Sequence, residues 1–363
     1  QELLPNLNEL MVNDPGDKTY GLDGNVTAWI NDINQDGIIS GCDHVYLYIA
    51  MRRGGKNIYS LDVTNRTAPK LRWVIKGGEG DYEEMGQTWS TVNVAKVKDG
   101  TVDKDVIVFG GGYDTNQDSV SVRTADSEGR AVYIADAKTG ALLWSAGKDG
   151  ILKIDEMKYS VPARVKPLDV KGDGYLDRMY VADMGGQIFR FDIDNDNNAS
   201  LASSIDGGRI ASISGAAKKD ARRFYYPPDV ALIAEKGKSA YLALSISSGY
   251  RAHPLDDVIQ DRIYLFKETD IYNAPSTYKT LTESDLYDAT LNLVAGDGNQ
   301  TQNDAAQAAL DSSKGWFIKL DDQTNTDTWV GEKGLSETLI IDGVVVVTTF
   351  IPNIGTGSSC APA

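Results

Sequence analysis

Hydrophobic and polar residues alternate along many short stretches of this chain, and valine, isoleucine, tyrosine and phenylalanine fill most of the apolar positions. Alternation with a period of two predicts strands rather than helices, because successive side chains of a strand point to opposite faces. Clear examples are residues 58–62, 132–136, 188–192 and 263–266. The pattern therefore predicts an all-β protein.

The predicted strands recur in sets that share one order. An earlier strand, followed by a glycine turn, precedes each of those stretches, at residues 44–51, 106–109, 179–182 and 241–246. Further strands are predicted upstream, at residues 89–97, 160–165 and 226–233. The unit repeats about every 60 to 75 residues, and small repeated sheets are typical of a β-propeller whose blades stack around an axis. A large β-sandwich is the alternative fold.

Residues 268–315 interrupt the repeat. Thr282 to Asp285 form a predicted capping box, and residues 304–310 are rich in alanine, so we predict one or two short helices in an insertion. Strands are predicted again at residues 316–320 and 344–350. The chain begins at Gln1 without a signal peptide. We expect residues 1–363 to form one irregular propeller domain, as a C-terminal fragment of a longer protein with an incomplete last blade.

Composition excludes several classes of protein. The 36 Lys and Arg face 52 Asp and Glu, which gives a net charge of −16 and argues against nucleic-acid binding. No apolar run in the sequence, including residues 344–347, approaches the roughly 18 residues that a transmembrane helix needs. Two cysteines and two histidines form no zinc motif and no recognisable catalytic triad. The acidity is explained either by a solvated surface or by bound cations.

Residues 32–43, DINQDGIISGCD, form the sharpest local motif. Oxygen-bearing residues alternate around a glycine at the spacing of a calcium-binding loop. The predicted ligands are Asp32, Asn34, Asp36, the carbonyl of Ile38, Ser40 and Asp43. Asp43 stands where a longer glutamate is usual, and the flanks are predicted strands, so this is not an EF-hand pair. The alternative is an Asx-rich turn without metal.

Residues 169–177, DVKGDGYLD, form a second candidate loop. Its predicted calcium ligands are Asp169, Asp173, the carbonyl of Tyr175 and Asp177. Lys171 stands where another oxygen is expected. Either the lysine points outward and leaves a weakened site, or its ammonium sits among the carboxylates and replaces the ion. Two weaker clusters, residues 114–118 and 192–196, lack the glycine, and we interpret them as structural turns.

Several segments in this order resemble the C-terminal propeller of the PilY/PilC family of type IV pilus tip-associated proteins. The segments are HVYLYIAMRRGG at 44–55, YSLDVT at 59–64, GGGYD at 110–114, residues 169–177 continuing into YVADMGGQIFRFD at 180–192, Gly315-Trp316, and TTFIP at 348–352. The likeness spans nearly the whole chain.

The resemblance implies a modified propeller that supports pilus assembly against retraction and takes part in adhesion. It implies minor pilins at the pilus tip as partners, with a host-cell or surface receptor, and a location at the surface of a Gram-negative bacterium reached through the periplasm. It also implies calcium as the cofactor, bound at Asp169, Lys171, Asp173, Tyr175 and Asp177. Lys171 departs from the family pattern, so the Asp32 loop is the alternative source of calcium dependence.

Residues 136–144, DAKTGALLW, also resemble the tryptophan-docking repeat of quinoprotein dehydrogenases, which use pyrroloquinoline quinone and calcium. The chain has one strong copy of this repeat and no adjacent cysteine pair. The sequence therefore favours a non-enzymatic binding and assembly module. A quinoprotein dehydrogenase is the alternative, and a calcium-stabilised adhesion propeller unrelated to pili is a third possibility.

Overall fold

The computed structural model describes residues 3–12, 18–119, 122–234, 236–295, 298–321 and 328–352. Within these residues the chain forms a β-propeller with irregular blades, as predicted. Four sheets of four or five strands follow one another along the chain, and two short ribbons of two strands come after them. Neighbouring strands are antiparallel, except for two-residue parallel pairings of residues 146–147 with 152–153 and of residues 287–288 with 316–317.

The strands are numbered in chain order. Sheet 1 contains β1 (Val26–Asn31), β2 (His44–Ala50), β3 (Ile58–Asp62) and β4 (Lys70–Ile75). Sheet 2 contains β5 (Asn93–Asp99), β6 (Val102–Gly110), β7 (Ala131–Asp136), β8 (Leu142–Gly147) and β9 (Leu152–Lys153). Sheet 3 contains β10 (Lys166–Leu168), β11 (Arg178–Ala182), β12 (Gln187–Ile193) and β13 (Ile205–Ser212).

Sheet 4 contains β14 (Asp229–Ile233), β15 (Tyr241–Ser247), β16 (Arg262–Glu268), β17 (Tyr287–Asp288) and β18 (Gly315–Lys319). One ribbon pairs β19 (Lys333–Gly334) with β22 (Thr349–Phe350), and the other pairs β20 (Leu339–Ile341) with β21 (Val344–Val346). The strands expected at 316–320 and 344–350 are therefore present, the second as two short pieces.

The sheets stack face to face, and strand alternation explains how one sheet serves two neighbours. Ile107 and Phe109 of β6 pack in the cluster shared with sheet 1. Val106 and Val108 of the same strand pack in the cluster shared with sheet 3. A third cluster joins sheets 3 and 4. Because both faces of β6 are covered, its last five residues are all buried.

The first strand of each sheet is the inner one. Consecutive inner strands, or the residues just before them, are joined by polar contacts: Thr27 Oγ1 to the Val92 carbonyl at 2.6 Å, Asn93 Nδ2 to the Val165 carbonyl at 2.8 Å, Lys166 Nζ to Asp229 Oδ1 at 2.8 Å, and the Ile340 amide to Asp229 Oδ2 at 2.8 Å. These contacts run in order from sheet 1 to the ribbon β20–β21. They place the inner strands around one axis.

Three strand predictions are wrong in their position. Residues 89–92, 160–165 and 226–228 are not strands, since β5 begins at Asn93, β10 at Lys166 and β14 at Asp229. Residues 160–165 instead pass between blades, where the Val161 amide donates to the Gly129 carbonyl at 2.9 Å and Pro162 has no amide to donate. Val161, Ala163 and Val165 are buried there, so the apolar pattern reflects packing between sheets rather than strand pairing.

The predicted insertion contains a helix. Besides α1 (Leu7–Leu10), the described residues include α2 (Gln300–Ser312), which begins with a capping box at Asn299. The capping box predicted at Thr282 is present and starts a single 3₁₀ turn. The 3₁₀ segments are Leu4–Asn6, Arg52–Gly54, Gly80–Tyr82, Thr115–Asp118, Leu201–Ser203, Lys218–Asp220, Glu283–Asp285 and Leu293–Ala295. None of the described helices is long and apolar enough to span a membrane.

Candidate metal centre

Both predicted loops occupy the same position in their blades. Residues 32–43 connect β1 to β2 in sheet 1, and residues 169–177 connect β10 to β11 in sheet 3. Each loop therefore joins the inner strand of a sheet to the next strand outward. Two acidic loops at equivalent places indicate one local structure used twice by the repeat.

The structure brings together the carboxylates of the second loop. One oxygen from each of Asp169, Asp173 and Asp177 lies within 4.8 Å of the others. Backbone amides curl the loop around Asp169, whose Oδ1 accepts from the Gly172 amide at 2.6 Å and whose Oδ2 accepts from the Gly174 amide at 2.7 Å. Convergent oxygens on a tight loop are the donor set that calcium prefers.

Asp177 provides a test of whether these residues suit a cation. It is only 7% exposed, and its Oδ2 accepts the amides of Val170 and Lys171, each at 2.9 Å. Its Oδ1 is buried and has no hydrogen-bond partner among the described residues. Buried polar atoms are normally satisfied, so this oxygen suits a bound ion. The three carboxylates fit a hard divalent cation in charge and in donor type.

Lys171 adopts an intermediate position between the two predicted arrangements. Its ammonium lies 2.6 Å from Oδ2 of Asp196, outside the loop, and 3.8 Å from Oδ1 of Asp177. The hydrogen bond to Asp196 raises the pKa of Lys171 and lowers the pKa of Asp196. Sequence reasoning did not identify Asp196 as this partner, because it lies beyond β12 and reaches the loop only in the folded sheet.

The first loop is closed by its own hydrogen bonds. Asp32 Oδ2 accepts the Gly37 amide at 2.8 Å, and Asp36 Oδ1 accepts the Ile38 amide at 2.7 Å. Asp43 accepts the amides of Ile33 and Ser40, each at 2.9 Å, and these bonds lower its pKa. Its carboxylates, all within the described part of the chain, do not converge as closely as those of the second loop.

Asn34, Asp36, Ile38 and Ser40 of the first loop are exposed to solvent. Asn34 Nδ2 donates to Asp36 Oδ2 at 2.9 Å, which ties two predicted ligands to each other. Asp32 Oδ1 is buried and lacks a hydrogen-bond partner among the described residues, as Asp177 Oδ1 does in the second loop. Cys42 is exposed beside Asp43, and Cys360 lies outside the described residues.

The two weaker acidic clusters have structural roles. Residues 114–118 form a turn, as interpreted, whereas Asp192 of the second cluster lies in strand β12 and not in a turn. Asp114 begins the 3₁₀ segment Thr115–Asp118 by accepting the Asn116 amide at 2.9 Å. Asp192 accepts Arg178 Nε at 2.7 Å, Arg190 Nε at 2.7 Å and the Tyr278 hydroxyl at 2.9 Å. This buried network fastens the inserted segment to sheet 3. The sequence signal for it was an arginine on each of two neighbouring strands, Arg178 on β11 and Arg190 on β12.

Comparison with known proteins identifies the family to which this fold belongs. The PilY1 beta-propeller domain family matches residues 7–240. The type IV pilus biogenesis factor PilY1 of Pseudomonas aeruginosa is 30% identical over 185 residues, which cover 49% of this chain and 14% of that protein. The PilY1 homolog of Xylella fastidiosa is 22% identical over 351 residues, which cover 94% of this chain and 22% of that protein.

The crystal structure of the Pseudomonas aeruginosa PilY1 C-terminal domain has the same fold, with a TM-score of 0.62 and 19% identity over 92% of this chain and 68% of that chain. Fold and site together define a β-propeller with acidic loops between its inner strands and their neighbours. The chain belongs to the PilY1 beta-propeller domain family. It spans less than a quarter of the length of the curated relatives it matches.

Proposed function

We propose that this chain is a single propeller domain of a longer type IV pilus biogenesis protein, and that it works by binding rather than by catalysis. The observation that carries this proposal is the family match across residues 7–240. The similar proteins of Pseudomonas aeruginosa and Xylella fastidiosa are named as type IV pilus biogenesis factors or their homologs. The site of action would be the cell surface or pilus tip, after export through the periplasm.

In this role the propeller supports pilus assembly against retraction and contributes to adhesion. Its partners would be minor pilins at the pilus tip and a receptor on a host cell or another surface. A rigid stack of blades suits such a task, because buried clusters join each sheet to the next and give little freedom between them.

Calcium would stiffen the loops that join inner strands to their neighbours. The second loop has the stronger support, because Asp169, Asp173 and Asp177 converge and Oδ1 of Asp177 is buried without a hydrogen-bond partner among the described residues. Asp32, Asn34, Asp36, the Ile38 carbonyl, Ser40 and Asp43 would provide the first site after a local rearrangement of their hydrogen bonds. A cation there would also reduce the self-repulsion of a chain with net charge −16.

The position of Trp144, the signature residue of the quinoprotein alternative, does not favour that alternative. Trp144 is fully buried between sheets 2 and 3, with its ring centre 5.4 Å from that of Phe191. This places the tryptophan in blade packing, which a non-enzymatic propeller requires equally. Adding pyrroloquinoline quinone, calcium and an oxidisable alcohol or sugar, and assaying dye reduction, tests the alternative directly. Substrate-dependent reduction above the blank would contradict a purely binding role.

Pilus counts test the main proposal. In the bacterium that makes this protein, deleting the segment that encodes the propeller should remove most surface pili. Deleting the retraction motor as well should restore them, because a factor that opposes retraction is dispensable when retraction stops. Unchanged pilus numbers after the first deletion would contradict the proposal.

Melting experiments test the calcium sites separately. Calcium bound only by the folded chain stabilises it by about 2.7 kcal/mol at 100 times its dissociation constant. Asp173→Ala and Asp36→Ala each remove one loop's contribution to the calcium-induced rise in Tm. A rise that survives Asp36→Ala unchanged would contradict binding at the first loop, and one that survives Asp173→Ala would contradict binding at the second.

A further inference from the structure

A cavity of about 240 Å³ lies on the axis of the propeller, separate from both acidic loops. Its lining comes from residues just before the inner strands of successive sheets: Asn25 before β1, Thr91 before β5, Arg164 before β10, Pro227 before β14 and Glu337 before β20. Five consecutive units thus contribute to one site. A central cavity built in this way is a common place for ligands in a propeller.

The cavity concentrates positive charge in an acidic protein. Arg52, Arg164 and Arg251 line it, together with two carboxylates. Arg164 pairs with Glu337 through two contacts, at 3.1 and 2.6 Å, and Arg52 lies 3.5 Å from Asp23. No carboxylate of the described residues pairs with Arg251, which is exposed. Among the residues that the structure describes, the guanidinium of Arg251 therefore has no carboxylate counter-ion at this site.

Aromatic rings hold two of these arginines in place. The guanidinium carbons of Arg52 and Arg251 lie 4.6 and 5.7 Å from the ring centre of Trp89. Arg251 Nη1 also donates to the Tyr226 hydroxyl at 3.0 Å. Stacking on an aromatic face keeps a guanidinium positioned while its edge donors remain available.

The backbone at Arg52 is also unusual. Its φ is +53°, in the left-handed region that residues other than glycine seldom adopt. Such conformations are unfavourable and persist where surrounding structure holds them, frequently at binding sites. Here the Arg52 amide is held by the Thr88 carbonyl at 3.2 Å, which fixes the side chain beside Trp89.

We propose that the axial cavity binds a single carboxylate group of an extended peptide, with Arg251 as its counter-ion and Trp89 and Tyr226 as its flat walls. One unbalanced guanidinium matches one negative charge, and a guanidinium edge matches both oxygens of a carboxylate. A polyanion would be repelled by the overall charge of −16. The carboxylate belongs either to a chain terminus or to an acidic side chain.

Calorimetry with four amino-acetylated tripeptides tests this proposal on the whole chain. One peptide ends in a free carboxylate, and its partner is amide-capped. The other two are amide-capped and contain a central glutamate or a central glutamine. We expect binding of the free-ended or the glutamate peptide, and at least tenfold weaker binding of its neutral partner. Which pair responds identifies the source of the carboxylate.

Variants and a competing anion complete the test. Arg251→Gln should weaken peptide binding at least tenfold, while Arg251→Lys should retain part of it. Arg66→Gln is the matched control, because Arg66 is an exposed arginine between β3 and β4, away from the cavity. Equal affinity for charged and neutral peptides, an Arg251→Gln variant that binds as the parent does, or tighter binding of inorganic phosphate would each overturn the proposal.

Discussion

The ammonium of Lys171 lies 2.6 Å from the carboxylate of Asp196 and 3.8 Å from that of Asp177, so one side chain connects the acidic loop of sheet 3 to the end of β12. The lysine is therefore neither fully outside the loop nor centred among its carboxylates. It partly neutralises the carboxylates of the loop and would compete with a bound cation for Asp177. Lys171 is therefore the position at which the proposed calcium binding can be tested.

Replacing Lys171 by asparagine should increase calcium affinity at the second loop by about tenfold, because an amide oxygen replaces a positive charge near the ion. Isothermal titration calorimetry measures the change. Lys98→Asn is the matched control, since Lys98 also approaches Asp196, at 4.0 Å, but stands on β5 rather than in the loop. An unchanged calcium affinity of the Lys171→Asn variant would contradict the hypothesis that Lys171 competes with the ion.

Asp192 should be among the most sensitive polar positions of the chain. It is 8% exposed and pairs with Arg178 and Arg190, which are almost fully buried. Asp192→Asn removes the carboxylate that pairs with Arg178 and one of the two that pair with Arg190, which keeps Glu268. It should cost about 3 to 5 kcal/mol of unfolding free energy. Tyr278→Phe removes one hydrogen bond to the same carboxylate and should cost about 1 kcal/mol. Urea titrations of both variants check this order, and equal losses would contradict it.

Gly112 should tolerate no side chain. Its φ is +107°, and a Cβ would lie 2.3 Å from the carbonyl oxygen of Gln87, where a bridge joins the segments between blades. Gly112→Ala should therefore lower the unfolding free energy by about 3 kcal/mol. Gly237→Ala, with φ +83° but open space around the site, should lose only about 1 kcal/mol. Comparable losses in thermal melts would show that the clash is not decisive.

Asp261 should make stability depend on pH. Burial raises its pKa to about 6, although the Ser248 hydroxyl and the charges of Lys333, Arg222 and Arg223 act in the opposite direction. Between about pH 4 and pH 6 the folded chain holds this proton more tightly than the unfolded chain. The contribution of Asp261 to stability therefore falls as pH rises through this range.

The comparison with Asp261→Asn isolates that contribution. The variant should gain up to about 3 kcal/mol relative to the parent between pH 4 and pH 7, because it has no carboxylate to ionise in the interior. Urea unfolding at several pH values measures the difference. A difference that does not vary with pH would mean that Asp261 is ionised throughout.

Much of the blade structure was predictable from local pattern. β3, β7, β12 and β16 lie where alternation predicted them, because strand alternation records which side chains face a neighbouring sheet. The segment at 160–165 was not predictable, because residues buried between two sheets are as apolar as residues within one. The capping box at Thr282 and the helix at 300–312 followed local rules that need no tertiary partner.

By itself, the sequence determined the kind of fold and the two oxygen-rich loops, because turn chemistry and strand period are set by neighbouring residues. Only the tertiary structure decided which groups meet across blades. Asp196 reaches Lys171 from 25 positions away, and Arg251 joins Trp89 and Arg52 on the axis although they lie far apart in the chain. Such contacts depend on how the sheets stack and how the propeller closes around its axis, which no local sequence pattern encodes.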